Sequence, residues 1–351
     1  MKKLFSLLFA LATIVSLNAQ DFPTEEWTYN ENYETNGWDI SKIRTLNAFI
    51  IDSTNITGLV IVHKGKVVYD YGEITDNSYI ASVRKSVLAM LYGKYVENGT
   101  IDLNKNLTDL RISDVNEISD LEKQATIKDL ISARSGIYLA GSNGGDSRAF
   151  APERNSKEPG SYWLYNNYDF NLAGYIFEQE TGKSIYDEID SQLAKPLQMQ
   201  DWNRSLQRKS GDTSVSKFQA YHMWFSARDL ARIGLLMLNN GNWNGNQLIS
   251  EDWVEEMIAQ HTTSEEVINN TRDNGEMDLG YGYMWWLWEN TGDPRFEGAY
   301  MASGAWGQSI TVFPEIDVVV AFKTNNIYRR SNNTATRLKI LKKAASSYEM
   351  D

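Results

Sequence analysis

The chain has 351 residues, no cysteine, and 46 acidic against 34 basic residues, for a formal charge of -12. Without cysteine there is no thiol nucleophile and no disulfide, so stability must come from core packing. The acidic balance argues against nucleic acid or an anionic membrane surface as a partner and leaves small molecules as the fitting class.

Lys2 and Lys3, an apolar run from Leu4 to Val15, and Leu17-Asn18-Ala19 have the layout of an export signal. Cleavage is expected near Ala19, which leaves a mature chain from about Gln20 that is periplasmic or secreted. No later segment approaches the roughly 20 uninterrupted apolar residues of a membrane helix, so no membrane insertion is expected of the mature form. Its 330 or so residues suffice for a large core or for two regions that share a cleft.

Residues 20 to 45 are polar and aromatic and read as a lead-in, ordered or partly flexible, with no assigned role. Gly58 to His63 and Lys66 to Tyr71 are β-branched runs around Lys64-Gly65, a hairpin signal. Ser82-Val83-Arg84-Lys85 then opens an apolar run with Val87, Leu88, Leu91 and Tyr95 at helical spacing. From Val83 to about Gln260 the recurring patterns are helical, including Tyr168 to Thr181, which stops at Gly182, and a run capped by Ser226 that stops at Asn239-Asn240-Gly241. Strand-like runs return at Tyr300 to Ala305, Ser309 to Phe313 and Val318 to Lys323, and a basic helix over 332–348 closes the chain. The expected architecture is α+β: an antiparallel sheet from residues 20–82 and 280–351, flanked by helices, with a mostly helical insertion over 83–279 and a cleft at the seam.

Chemistry centres on Ser82. Near a helix start, unpaired N–H groups and the positive dipole end favour an oxyanion beside its hydroxyl. Lys85 lies one turn on and on the same face, so its amine can reach that hydroxyl. Burial beside another cationic or proton-sharing group would lower the lysine's pKa and let it accept the proton. Tyr165-Asn166-Asn167, the one Y-x-N in the chain, can supply such a group: Tyr165 as base or relay, and Asn167 to donate to a substrate carbonyl and accept from Lys85. A second Ser/Lys pattern, Ser214 to Lys217, lacks a following apolar helix. The bland alternative for Ser82 is a plain N-cap, and for Lys85 a solvated helix face.

A strand beside Ser82 should bring a second oxyanion donor, and the amide of Ala305, within the glycine-rich segment 302–308, is the candidate. Gly304, Trp306, Gln308, His222 and Trp224 are candidate substrate contacts. His63, His222 and His261 lack metal-like spacing, and no G-x-S-x-G, phosphate-loop or H-E-x-x-H pattern occurs.

These residues resemble the serine β-lactamase and penicillin-binding-protein superfamily over residues 45 to 345, in particular its class C-like esterase and aminohexanoate-dimer hydrolase branch. Ser82 to Lys85 looks like the nucleophile motif, Tyr165 to Asn167 the tyrosine motif, and Ile127 to Gly136 the helix and turn before the cleft. Ser226 to Arg232 and Tyr281 to Trp286 look like the aminohexanoate-hydrolase branch. The resemblance implies a β-lactamase/transpeptidase-like fold and an acyl-enzyme on Ser82, with Lys85 and Tyr165 moving its proton. The amides of Ser82 and Ala305 would hold the oxyanion, with no metal or organic cofactor needed. The chain reads Ala302-Ser303-Gly304 where the family's lactamases and transpeptidases carry Lys-Thr-Gly or His-x-Gly. That missing cation favours an ester or small amide over a β-lactam or cell-wall peptide. The alternatives are a penicillin-recognising D,D-peptidase or β-lactamase, and a catalytically silent binding module of the same fold.

Overall fold

A computed structural model describes residues 21–269 and 278–350; the expected export signal lies outside the described residues. The lead-in is anchored to the sheet: Asn30 N–H donates to Val67 O at 2.8 Å, and Val67 N–H to Thr28 O at 2.9 Å. It runs into a helix that the sequence reading passed over, α1 (Ile40–Ser53), capped by the Asp39 side chain accepting from Ser41 and Lys42 N–H. Hairpin β1 (Gly58–His63) and β2 (Lys66–Gly72) turns at Lys64 and Gly65 with φ of 48° and 80°, the left-handed pair of a type I′ turn. The short β3 (Ser78–Tyr79) leads directly into α2 (Val83–Glu97).

The central stretch is mainly helical: α3 (Ile127–Ile131), α4 (Asn167–Thr181), α5 (Ile185–Ile189), then after three short strands α6 (Ala227–Leu238), followed by α7 (Glu251–Ile258) and α8 (Ser264–Asn269). Those strands are β4 (Arg208–Ser210), β5 (Ala220–His222) and β6 (Trp224–Phe225); β4 pairs with β5, and β6 with β3. A small ribbon, β7 (Asn242–Trp243) and β8 (Asn246–Gln247), follows α6. The chain returns as β9 (Leu279–Tyr281), β10 (Trp286–Trp288), β11 (Tyr300–Gly304), β12 (Gln308–Phe313) and β13 (Val318–Lys323), and ends in α9 (Thr334–Ala345).

The large sheet runs β2-β1-β13-β12-β11-β10-β9, antiparallel throughout, with β1 from near the start of the chain lying against β13 from near its end. Both faces are covered, so its central strands are apolar on both sides. Leu59, Ile61, Val318, Val320 and Phe322 pack with Ile43, Leu46 and Ile50 of α1 and Leu338 and Leu341 of α9. Val60, Val62, Val319 and Ala321 face the other core, shared with α2 and α6. Helix α6 sits close on that face at Gly234, where an added Cβ would come within 2.4 Å of Val319. Helix α2 is enclosed rather than amphipathic: 12 of its 15 residues are buried, so any ionisable group it carries loses most of its water. No helix among the described residues is long and apolar enough to cross a membrane.

Candidate active site

Ser82 occupies the N-cap position of α2, but its side chain makes no capping bond. Its hydroxyl is therefore not committed to closing the helix. The preceding residue, Ala81, has φ of 49°, a left-handed conformation that costs an alanine about 1–2 kcal/mol. The turn swings the chain from β3, extended by Ile80 N–H donating to Met223 O at 3.1 Å, straight into α2.

Lys85 lies one turn along and is 1% exposed. Its Nζ donates to Ser82 Oγ at 3.0 Å and to Tyr165 Oη at 2.6 Å. The same Nζ is 4.2 Å from the centre of the Tyr165 ring and 4.6 Å from that of Phe170. Burial holds the ammonium pKa well below its ordinary value, the Arg84 charge lowers it further, and Asp146 opposes both. Tyr165 is pushed up to about 12, chiefly by burial, with the Ser82 hydroxyl and Arg84 pulling it back. The pair therefore favours an uncharged amine beside a protonated phenol at neutral pH, which leaves the amine as proton acceptor and the phenol as relay.

Several elements hold Tyr165 in place. Leu164 N–H donates to Ala133 O at 2.9 Å and Ser147 N–H to Tyr165 O at 2.8 Å. The ring stacks on Trp286 at 5.6 Å and packs against Phe170 at 4.9 Å. The segment from Ile127 to Gly136 supports this loop: α3 ends in a left-handed Ala133 (φ 61°), and Ser135 Oγ donates to the buried carboxyl of Asp169 on α4 at 2.8 Å. Burial raises that carboxyl's pKa well above its ordinary value.

The strand-end candidate is beside the nucleophile. A Cβ on Gly304 would lie 2.6 Å from Ile80 O and 3.2 Å from Ser82 N, so the backbone of β11 passes directly against that of Ser82. Ala305 is the next residue, first of a three-residue turn before β12.

Two expectations need correction. Asn167 Nδ2 donates to Gly144 O at 2.9 Å, and its Oδ1 is buried without a bond to Lys85 or to any other group among the described residues. As the first residue of α4 it turns toward the 141–145 loop, so it does not offer its amide to a substrate. Asn166 caps α4 instead, accepting from Tyr168 N–H at 3.0 Å and donating to Ile137 O at 2.9 Å. Gln308 is fully buried: its Nε2 donates to Thr324 O at 2.7 Å and its Oε1 accepts from Thr324 N–H at 3.3 Å. Both ends of that amide are committed to joining β12 to the end of β13, so Gln308 is structural rather than a substrate contact.

His222, Trp224 and Trp306 do come together, through Tyr79, which the sequence reading did not single out. Tyr79 Oη lies 2.8 Å from His222 Nδ1, and its ring lies 5.4 Å from Trp224 and 5.8 Å from Trp306. Burial, reinforced by Arg84 and Arg208, lowers the His222 pKa to about 4, so its imidazole is neutral. The pairing of β3 with β6 creates this neighbourhood across some 145 residues of chain. The Ser214 to Lys217 copy lies outside helix and strand, with Ser214 exposed and bonded to Asp212.

Two arginines were also passed over. Arg84, inside the nucleophile motif, is 2% exposed; its Nη2 donates to Asn171 Oδ1 at 3.1 Å and its guanidinium sits 4.4 Å over the Tyr221 ring, with no carboxylate partner among the described residues. Arg337 of α9 donates through Nη1 to Ser303 Oγ at 3.0 Å and Gly304 O at 3.1 Å, gripping β11 from the side of α9. A spacing pattern signals neither, because both roles arise from tertiary contact.

The Beta-lactamase family model matches residues 43–344 of the chain. A 6-aminohexanoate-dimer hydrolase of Paenarthrobacter ureafaciens is 23% identical over 268 residues, which cover 70% of this chain and 65% of that enzyme. Among solved structures, a Bacillus anthracis protein named for the same hydrolysis has a TM-score of 0.67 at 19% identity, covering 93% of this chain and 89% of the other. A family VIII carboxylesterase has a TM-score of 0.64 at 15% identity, covering 92% and 99%. The chain belongs to the Beta-lactamase family, a family of serine hydrolases, and its α+β architecture is the β-lactamase/transpeptidase-like fold.

Proposed function

We propose that this family member is an exported hydrolase that cleaves an ester or small amide through an acyl-enzyme on Ser82. The observation that carries the reading is a single buried amine, Lys85 Nζ, within hydrogen-bond reach of both the Ser82 hydroxyl and the Tyr165 phenol. Export rests on the Lys2 to Ala19 signal pattern alone.

Ser82 Oγ attacks the substrate carbonyl carbon, and its proton passes to the uncharged amine of Lys85. The carbonyl oxygen becomes an oxyanion at the start of α2, where the amides of Ser82 and Ala305 donate to it. When the tetrahedral species collapses, the C–O or C–N bond to the leaving group breaks and that group takes a proton from the Lys85–Tyr165 pair. Water then attacks the acyl-enzyme, giving its proton to the same pair, and the Ser82 hydroxyl is restored as the acid leaves.

An ester or small amide is favoured because β11 carries Ala302, a buried methyl group, where a β-lactam carboxylate would call for a cation. The carboxylesterase and aminohexanoate-dimer hydrolase names among the similar proteins point the same way. The test is kcat/KM over a panel of p-nitrophenyl esters and small amides, alongside labelled penicillin. Turnover of an ester or amide that Ser82→Ala abolishes supports the reading. Stable penicillin acylation of Ser82 without ester turnover would replace it with a penicillin-recognising enzyme. Failure of all of these, with no fluorophosphonate labelling, would leave a silent binding module.

A further inference from the structure

Near the reacting residues stands a group of rings that the hydrolytic steps above do not use. Tyr79 is three residues before Ser82, and Trp306 follows Ala305 directly, so both are tied to the reacting centre by short stretches of backbone. Trp306 is 40% exposed and holds a left-handed backbone with φ of 67°. A bulky residue rarely adopts that conformation, and an exposed indole gains little core packing to offset it. The turn is fixed by Asn332 N–H donating to Trp306 O at 3.0 Å.

Trp224 packs against Tyr79 with ring centres 5.4 Å apart, and the guanidinium of Arg208 lies 4.0 Å over the Trp224 ring. Register places Arg208 opposite His222 on the β4–β5 ribbon. Arg208 is exposed, donates only to the carbonyl of Leu206 at 3.1 Å, and makes no ion pair among the described residues. An acidic chain thus presents a cation with no ion pair among the described residues, at the edge of a ring cluster that reaches through Trp224 to Tyr79, three residues before the nucleophile.

We propose that Tyr79, Trp224, Trp306 and Arg208 form a subsite for a planar aromatic group carrying an anionic substituent, which makes the natural substrate an ester or amide of that class. The ring stacks on the exposed indole of Trp306, and the anion meets the guanidinium of Arg208. His222, being neutral, holds Tyr79 by hydrogen bond without competing for the anion. This inference names the substrate of the proposed hydrolase and rests on that reading for its function, while ligand binding can be measured apart from turnover.

The experiment titrates phenylacetate, cyclohexylacetate and phenylacetamide into the full chain carrying Ser82→Ala, by calorimetry or tryptophan fluorescence. Phenylacetate should bind about three- to tenfold more tightly than cyclohexylacetate, the stacking preference of an aromatic over a saturated ring of like size. Trp306→Ala should bring that ratio close to one. Arg208→Gln should remove the preference for phenylacetate over phenylacetamide while the ring ratio persists. Equal binding of the flat and saturated acids, an unchanged ratio in Trp306→Ala, or no saturable binding of any of the three would overturn the proposal. Because Ser82 is absent from the binding variant, a wild-type enzyme that turned over no ester would sink the hydrolase reading without altering this result.

Discussion

Replacing Gly304 with alanine tests how tightly the strand end is set against the nucleophile. The added Cβ would lie 2.6 Å from Ile80 O, 3.0 Å from Gln308 Cβ and 3.2 Å from Ser82 N, where ordinary contact begins near 3.4 Å. The gap to Ile80 must therefore open by about 0.8 Å. Two of the three neighbours are backbone atoms, and Gln308 is held by both ends of its amide, so relief comes by moving β11 away from Ser82. A misplacement approaching 1 Å at a reacting centre costs about 10²-fold in rate, so kcat should fall by roughly 10- to 100-fold. Oxyanion stabilisation acts in the transition state, so KM should change little. Overpacking should cost about 1–3 kcal/mol of stability, visible as a lower Tm. The assay is p-nitrophenyl ester hydrolysis with a thermal melt on the same preparation. Wild-type kcat in a folded Gly304→Ala protein would refute both the close approach and the place given to the Ala305 amide.

Further predictions concern the proton path. Tyr165→Phe should lower kcat by about 10²- to 10⁴-fold, the usual worth of a positioned acid or base, with little change in Tm; near-wild-type turnover would exclude the phenol from proton transfer. The pH–rate profile should show activity falling as pH drops through the depressed pKa of Lys85, because the ammonium cannot accept the serine proton. Arg84→Met should move that acid limb to higher pH, and Arg84→Lys should hold it; a limb that stays put in Arg84→Met would remove Arg84 from the account. Lys85→Met should abolish turnover yet raise stability near neutral pH. The sign follows from linkage: between the depressed folded pKa and the ordinary 10.5 the unfolded chain binds the extra proton, so the native state loses stability as pH falls from 10.5. A Lys85→Met protein less stable than wild type at neutral pH would contradict the uncharged, buried amine.

The parts of the site that could be read from sequence are those fixed by local geometry. Ser82 and Lys85 meet because they are three apart at a helix start, and α6 could be bounded because Ser226 accepts from Asp229 N–H as a cap. The Lys64-Gly65 turn supplies its own left-handed pair. Tertiary placement was harder to read. Tyr79 becomes part of the site only when β3 pairs with β6, and Arg337 reaches β11 from a helix at the other end of the chain. Gln308 and Asn167 were misread because a polar residue beside a glycine-rich turn or at a helix start looks available, whereas Thr324 and Gly144 take up their amides. Helix α1 did carry a signal, Asp39 before Ile43, Leu46 and Ile50 at helical spacing, but it begins inside a stretch dominated by polar and aromatic residues.

The most direct test is mass spectrometry of the full chain quenched during ester turnover, followed by digestion. The account predicts an added mass equal to the acyl group on the peptide containing Ser82, absent from Ser82→Ala and persisting longer in Tyr165→Phe. An ester hydrolysed at full rate with no acyl mass on that peptide, or with the mass on another residue, would contradict it.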